Sequence, residues 1–289
     1  MEGLIHQVMS GIANGSIYAS VALALVMIYK ATNHLNFAQG EMATFCTYIA
    51  LSLINLGLPY WVAFVATLAI SFAAGMVIER VLLRPMMDAP PLSAVGVFIG
   101  LLLFINACSG WCFGYTIKQF PSPFHSAPML GGYVSAHELG STAVTLVVLL
   151  IVYVFFRFTK LGLAMRAAAV NPVSARLVGI RVGWMLGLGW GLAAAIGSMA
   201  GIMVAPIVFL DPNMMFGILL YAFAGALLGG IDNPLGAVLG GFAVGVIENL
   251  GGAYIVGTEL KLSLALVIIV AVLVVKPTGL LGRAVMSRV

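Results

Sequence analysis

Two acidic side chains fall within long apolar stretches of the chain. Glu41 follows the run Asn36-Phe37-Ala38-Gln39-Gly40, and Glu248 stands beside Asn249. A charged side chain at the centre of a bilayer is costly unless it is paired or faces water, so such acids indicate a functional site. Two interpretations are open. Either the acids line a pathway for a polar solute, or protonation and hydrogen bonds to a neighbouring helix neutralise them.

The first apolar stretch also carries polar groups, since Asn14 and Tyr18 lie within it. We expect these two side chains to pack against Glu41 or to face water. All the residues that we predict to line a translocation pathway are polar or aromatic groups in an apolar setting. They are Asn14, Tyr18, Asn36, Phe37, Gln39, Glu41, Glu248 and Asn249.

The longest basic segment, residues 161–180, has the signals of a short and separately capped helix. Asn171 suits the N-cap, Pro172 suits the first helical position, and Gly179 suits the residue beyond the helix end. The pattern predicts a helix from Pro172 to Val178. This helix either joins two spans or docks a cytoplasmic partner in a groove. The docking interpretation assigns the contact to Arg166, Asn171, Pro172, Ala175, Arg176 and Gly179.

Several kinds of chemistry find no support in the sequence. None of the five lysines follows a glycine, so the chain has no GxxxxGK[ST] phosphate loop, and ATP would have to bind another chain. No nucleophile motif accompanies a base, which disfavours an intramembrane enzyme. The three cysteines have apolar neighbours, and the histidines lack the spacing of metal ligands. Those histidines are His6, His34, His125 and His137.

Composition indicates the elements that must position these residues. Hydrophobic residues make up 62% of the 289 residues and charged residues 8%, with a mean hydropathy of +1.14. A soluble domain carries about 25% charged residues, so we expect a polytopic all-α membrane protein. Apolar runs predict eight or nine spans, of which 36–56 and 215–229 are the doubtful ones. The spans are 8–29, 36–56, 60–79, 92–110, 139–157, 184–209, 215–229, 235–256 and 262–275.

The basic residues predict the orientation, because cytoplasmic loops collect Lys and Arg. They cluster after the fifth span and in the tail, which predicts an external N-terminus and a cytoplasmic C-terminus. They lie in loops and not along one solvated face, which disfavours nucleic-acid binding. The residues that set the orientation are Lys30, Arg80, Arg84, Arg157, Lys160, Arg166, Arg176, Arg181, Lys276, Arg283 and Arg288.

Glycines bracket the turn Asp232-Asn233-Pro234 at steps of four and seven residues. Small residues let helices approach closely in a bilayer, so we expect tight packing here. Polar breaks at 33–41 and 229–236, one in each half of the chain, are also typical of transporters built from discontinuous helices. The glycines are Gly225, Gly229, Gly236, Gly240, Gly241 and Gly245.

In order and spacing, a series of segments along nearly the whole chain resembles the permease subunits of branched-chain amino-acid ABC importers of the LivH type. The chain departs from that family at Gln39, where a histidine is usual, and at Asp232-Asn233-Pro234, where a glycine-containing turn is usual. The segments are Asn14-Gly-Ser-Ile-Tyr18-Ala, Asn36-Phe-Ala-Gln-Gly-Glu41, Glu79-Arg-Val-Leu-Leu-Arg84-Pro, 162–180, Leu228-Gly-Gly-Ile, Gly236-Ala-Val-Leu-Gly240-Gly, Glu248 and Lys276-Pro-Thr-Gly-Leu-Leu-Gly282-Arg.

The resemblance implies one permease domain over residues 1–289 with the fold of a type II ABC importer, in the bacterial inner membrane. It implies a heterodimer with a second, LivM-like permease, a periplasmic solute-binding protein, and two ATPases that hold the ATP and Mg. The loop 158–183 would carry the ATPase coupling helix. The solute would be a branched-chain or other hydrophobic amino acid, an amide, urea or an aromatic acid. The alternative is a stand-alone gradient-driven transporter or channel that uses Glu41 and Glu248.

Overall fold

The computed structural model describes residues 2–32, 34–86, 90–124, 128–129 and 134–282. Eleven α-helices make up most of these residues, and two short strands, Pro128–Met129 and Val134–Ser135, pair with each other. The helices are α1 Glu2–Thr32, α2 Gln39–Asn55, α3 Tyr60–Ile78, α4 Pro91–Phe113, α5 Ala136–Phe158, α6 Lys160–Val170, α7 Pro172–Leu177, α8 Val182–Val208, α9 Met215–Gly229, α10 Pro234–Gly251 and α11 Lys261–Val275.

All nine predicted spans coincide with helices in the described residues, and seven of the helical stretches are long and apolar enough to cross a bilayer. The two doubtful spans are the shorter helices, α2 with 17 residues and α9 with 15. The protein is therefore an all-α, multi-pass membrane protein. His125, Arg283 and Arg288, which entered the expectations on metal binding and orientation, lie outside the described residues.

The chain divides into two compact units. The first combines Met1–Val26, Phe124–Ala143 and Phe216–Val289, and it contains most of α1 and all of α10 and α11. The second combines Met27–Pro123 with Val144–Met215 and contains α2, α3, α4, α6, α7 and α8. Each unit is described by itself below.

In the first unit, glycines bring helix backbones into direct contact, as their spacing predicts. A Cβ atom on Gly15 would lie 2.9 Å from the Phe242 Cα, and one on Gly241 would meet the Ala19 backbone. A Cβ on Gly245 would likewise meet the backbone of Gly15. Glycines therefore form the contact of α1 with α10, and close packing is the reason for these residues.

Adding one methyl group to this contact is expected to destabilise the protein. In Gly245→Ala the new Cβ overlaps the α1 backbone, and overpacking of this kind costs about 1–3 kcal/mol. The matched control is Gly100→Ala in α4, where no described residue beyond the local helix backbone lies within 4 Å of the added Cβ. Thermal unfolding in detergent should show a lower midpoint for Gly245→Ala only. Equal midpoints for the two variants would contradict the assigned packing.

In the second unit, α8 is the helix on which α2 and α3 pack. A Cβ on Gly75 of α3 would lie 2.7 Å from the Trp190 carbonyl oxygen, and one on Gly201 would lie 2.6 Å from the Thr47 hydroxyl of α2. Trp190 is fully buried and stacks on Phe98 of α4, with ring centroids 6.0 Å apart. The small residues of α8 thus let α2 and α3 approach closely, and Trp190 adds a ring contact with α4.

Candidate functional site

The break between α1 and α2 is the first candidate site, and two amide side chains stabilise it. The Ala38 N–H donates to Asn36 Oδ1 at 3.0 Å, and the Asn36 amide donates to Gln39 Oε1 at 3.3 Å. Gln39 Nε2 in turn donates to the carbonyl of Ala193 in α8 at 2.9 Å. Asn36 and Gln39 are fully buried. These bonds satisfy backbone and side-chain groups that would otherwise be unpaired in an apolar setting.

The contacts with α8 place this break well inside the second unit. Gln39 contacts Ala193, which lies eleven residues beyond Val182, or about 17 Å along α8 at 1.5 Å per residue. Further along both helices, Thr47 of α2 contacts Gly201 of α8. The two helices therefore run parallel over the second half of α8. The chain therefore changes from one helix to the next near the middle of α8. This is the discontinuous geometry expected from the polar residues around position 36.

Glu41, in the first turn of α2, joins a polar cluster that the sequence did not indicate. Its Oε2 accepts a hydrogen bond from Asn106 Nδ2 of α4 at 3.1 Å, and Glu41 is only 4% exposed. The same Asn106 amide contacts Asn213 Oδ1 at 3.0 Å, and the Asn213 N–H donates to Asp211 Oδ1 at 2.7 Å. The cluster therefore carries two carboxylates and two amides, and it links α2 and α4 to the segment after α8.

Glu248 forms a second cluster, in the first unit. Tyr18 Oη donates to Glu248 Oε2 at 2.8 Å, and the Tyr18 ring stacks on Tyr221 with centroids 4.9 Å apart. On the other side, Lys261 Nζ lies 3.6 Å from Glu248 Oε1 and donates to Asn249 Oδ1 at 2.9 Å. Glu248 thus has both a hydrogen-bond donor and a cationic partner.

Two expectations about these residues are corrected. Tyr18 was expected to pack against Glu41 or to face water, but its hydroxyl binds Glu248. The span predicted at 262–275 also left Lys261 just outside the membrane-spanning segments. Lys261 is in fact the first residue of α11, and its side chain reaches back to Glu248 because Gly252, which has no side chain, leaves room for it.

The remaining residues that were predicted to line the pathway are Asn14, Phe37 and Asn249. Asn14 is half-buried on α1, in the first unit. Phe37, in the break before α2, is exposed. Asn249 is buried and binds Lys261 through its oxygen, while its Nδ2 is without a partner among the described residues. The structure therefore unites Tyr18, Glu248 and Asn249 in one cluster, and it places Asn36, Gln39 and Glu41 in the other unit.

The basic segment forms a compact helical element, as predicted. Asn171 Oδ1 accepts from the Ser174 N–H at 3.0 Å and caps α7, which spans Pro172–Leu177, and Gly179 has a φ of +86°. Ala175 is buried and packs in an apolar cluster with Ala168, Val182 and Leu186. Ala175 therefore anchors α7 to α6 and α8 and does not face outward.

The outer side of this element is unusually apolar for an exposed surface. Val173 is 67% exposed and Leu177 is 83% exposed, and both lie beside exposed arginines. Exposed apolar side chains rimmed by charges indicate an interaction site. We call this surface the α7 face. It consists of Arg166, Val170, Val173, Arg176, Leu177 and Val178.

The tail after α11 binds the turn between α9 and α10. The Leu280 N–H donates to the Leu228 carbonyl at 2.8 Å, and the Leu281 N–H donates to the Gly229 carbonyl at 3.0 Å. Asn233 Nδ2 donates to the Leu281 carbonyl at 3.0 Å. Two segments that are remote in sequence thus form one structure, in which Asn233 serves as a direct link.

Comparisons with known proteins agree with this architecture. The sequence profile of the family described as "Branched-chain amino acid transport system / permease component" matches residues 7–273. The chain is 30% identical to the high-affinity branched-chain amino acid transport system permease protein LivH of Escherichia coli strain K12, over 99% of this chain and 97% of LivH. It is also 30% identical to the corresponding protein BraD of Pseudomonas aeruginosa, over 99% of this chain and 98% of BraD.

A solved structure supports the fold independently. PsaBC from Streptococcus pneumoniae, determined in complex with a Fab, superposes on this chain with a TM-score of 0.50 and a sequence identity of 14%. The match covers 93% of this chain and 91% of the PsaBC chain. At that identity the likeness concerns the fold alone. The family match over residues 7–273 and the 30% identity to LivH show that the chain belongs to the permease components of the branched-chain amino acid transport systems.

Proposed function

We propose that the chain is one permease subunit of an ATP-binding-cassette importer for a branched-chain or other hydrophobic amino acid. A second, homologous permease completes the pathway, a periplasmic binding protein delivers the solute, and two cytoplasmic ATPases bind the ATP and Mg. This chain then has no ATPase site of its own. The family match supports the class, and the names of LivH and BraD support the solute.

The orientation belongs to the same proposal. Residues 1–289 form one permease domain in the bacterial inner membrane, with the N-terminus outside and the C-terminus in the cytoplasm. This topology needs nine crossings, with α2 and α9 included, because the α6–α7 segment would face outward if only the seven longer helices crossed. The basic α6–α7 segment then lies in the cytoplasm, which agrees with the enrichment of Lys and Arg in cytoplasmic loops.

The α7 face is the main observation behind this proposal. A subunit needs a surface that binds a partner protein, whereas a stand-alone transporter does not need one. A short, rigidly capped helix that exposes valines, a leucine and arginines fits a groove in a partner protein. Arg166 and Arg176 are charged at any physiological pH and suit acidic groups of an ATPase. Ala175 anchors the element from its buried side, while Asn171, Pro172 and Gly179 are exposed at its two ends and belong to the proposed contact.

For the solute pathway we propose the discontinuity at the start of α2. Helix N-termini favour anionic groups, which suits the carboxylate of a zwitterionic amino acid, and Glu41 provides a charge for its ammonium group. Asn36 and Gln39 position this break through their bonds to each other and to Ala193. In the other unit, the Lys261 ammonium beside Glu248 weakens the rival interpretation of Glu248 as a free cation site.

Replacing Glu41 by glutamine is expected to impair transport without unfolding the protein. The amide oxygen of Glu41→Gln still accepts the bond from Asn106, but the charge for an ammonium group is lost. A charged hydrogen bond contributes about 1.5–3 kcal/mol, so we expect uptake to fall about tenfold or more. The control Glu259→Gln changes an exposed acid. Initial uptake rates at limiting solute compare the two, and wild-type uptake by Glu41→Gln would remove Glu41 from the pathway.

Co-purification tests the subunit assignment. The tagged chain, expressed with its neighbouring genes and extracted in mild detergent, should carry a second permease and two ATPase copies. The stoichiometry is measured by native mass spectrometry. Isolation of this chain only as a self-sufficient homo-oligomer, although the other subunits are expressed, would contradict the proposal.

A further inference from the structure

The proposed transport function leaves one feature of the second unit without a role, which is the segment Glu79–Pro85. It forms a π-helical turn, Glu79–Leu83, between α3 and a short 3-10 turn. Turns of this kind are rare and often lie at functional sites. Here the turn lines a crevice between the end of α3 and the start of α8. The crevice is lined by Met76, Val77, Glu79, Arg80, Arg84, Gly183, Trp184 and Gly187.

The polar groups of this crevice leave a net positive charge. Arg84 Nη2 donates to the Gly183 carbonyl at 2.8 Å and lies 3.5 Å from Glu79 Oε2. Arg84 therefore compensates the negative charge of the buried Glu79 carboxylate. Arg80 adds a second guanidinium on the exposed side. Two guanidinium groups against one carboxylate leave one positive charge. The crevice therefore favours an anionic ligand.

The size and walls of the crevice narrow the choice of ligand. Its volume is about 170 Å³, which is less than the roughly 300 Å³ at which small-molecule pockets begin. Val77 and Trp184 line it and are exposed, next to the basic residues. A tryptophan and arginines above an apolar wall are typical of the headgroup level of a bilayer. A phosphate on an apolar tail fits this combination better than a free solute does.

We propose that this crevice binds the phosphate of an anionic phospholipid, with Arg80 as the principal ligand and Trp184 beside the glycerol region. The crevice lies at the end of the second unit that carries α7, because Arg84 contacts Gly183 in the first turn of α8. In the proposed orientation this end faces the cytoplasmic leaflet, where basic side chains attract anionic lipids. The binding does not depend on the solute or on ATP.

Lipid retention tests this site. The full complex is reconstituted in vesicles of equal amounts of phosphatidylglycerol and phosphatidylcholine, re-extracted in mild detergent, and its bound lipid is counted by mass spectrometry. Wild type should retain phosphatidylglycerol preferentially. Arg80→Gln should lower that preference about fivefold, the factor that one basic side chain near a membrane contributes. Arg80→Lys should keep most of it, since the charge is preserved.

The matched control is Arg157→Gln, which removes an exposed arginine in the last turn of α5 without touching the crevice. It should retain lipid as wild type does. An unchanged preference in Arg80→Gln, or an equal loss in both glutamine variants, would overturn the proposal. Displacement of the lipid by millimolar inorganic phosphate would assign the site to free phosphate, and lipid retention only after the ATPase subunits are stripped from the complex would assign it to a protein contact. Either result would also overturn a lipid site.

Discussion

Introducing a charge on the α7 face is expected to abolish ATP-driven transport. Leu177 is the most exposed large apolar residue of α7, and under the proposal it becomes buried against an ATPase. In Leu177→Asp an unpaired carboxylate would enter that contact. Central interface residues contribute about 2 kcal/mol or more, so we expect ATPase retention and ATP-dependent uptake to fall about thirtyfold or more.

This variant should fold normally, because the side chain has few neighbours in the isolated chain. The matched control is Leu56→Asp, since Leu56 is 77% exposed in the turn after α2, at the opposite end of the second unit. Pull-down of the ATPase subunits should fail for Leu177→Asp and succeed for Leu56→Asp. Full ATPase retention in Leu177→Asp, or equal loss in both variants, would show that α7 does not dock the ATPase.

Removing the Lys261 charge is expected to destabilise the first unit strongly. Glu248 is 4% exposed, and in Lys261→Met its carboxylate would lose its cationic partner in a poorly solvated setting. Breaking a fully buried ion pair from one side costs about 3–5 kcal/mol, and the 25% exposure of the Lys261 side chain places this pair at the lower end of that range. We expect the free energy of unfolding, measured by denaturant titration in detergent, to fall by about this amount.

A second substitution separates the effect of the unpaired charge from the effect of the changed side-chain shape. In Lys261→Met with Glu248→Gln no charge is left unpaired, and the amide oxygen still accepts the bond from Tyr18. The double variant should regain most of the lost stability, which a double-mutant cycle quantifies. Lys160→Met, at the exposed start of α6, serves as the control. If the single variant is as stable as wild type, the ion pair has no structural role; if the double variant regains nothing, the loss comes from packing.

Local sequence signals predicted the features that depend on short stretches of chain. Apolar runs located the helices of all nine predicted spans, and the Asn171-Pro172 cap with Gly179 located α7 to within one residue. Glycine spacing predicted tight packing beside the 232–234 turn, where a Cβ on Gly225 of α9 would meet the Gly241 backbone of α10. Each of these rests on the length, periodicity or backbone preference of a single segment, which a sequence carries directly.

The side-chain clusters were predicted less completely, because they depend on how distant helices pack. Asn106 is a single amide in an apolar run, and only the packing of α4 on α2 brings it to Glu41. Lys261 lies at the start of a span, where a basic residue usually faces the membrane surface. Its pairing with Glu248 depends on the turn between α10 and α11. One sequence signal was available, since an unpaired buried acid requires a partner.

ATP-dependent uptake in proteoliposomes is the most direct test of the central claim, that this chain is one permease subunit of an ATP-driven importer. The complex is compared with this chain alone, using a radiolabelled branched-chain amino acid and the binding protein. We predict uptake by the complex that requires ATP and the binding protein, and no uptake by the chain alone under any ion gradient. ATP-independent uptake by the chain alone at the rate of the complex would contradict the account.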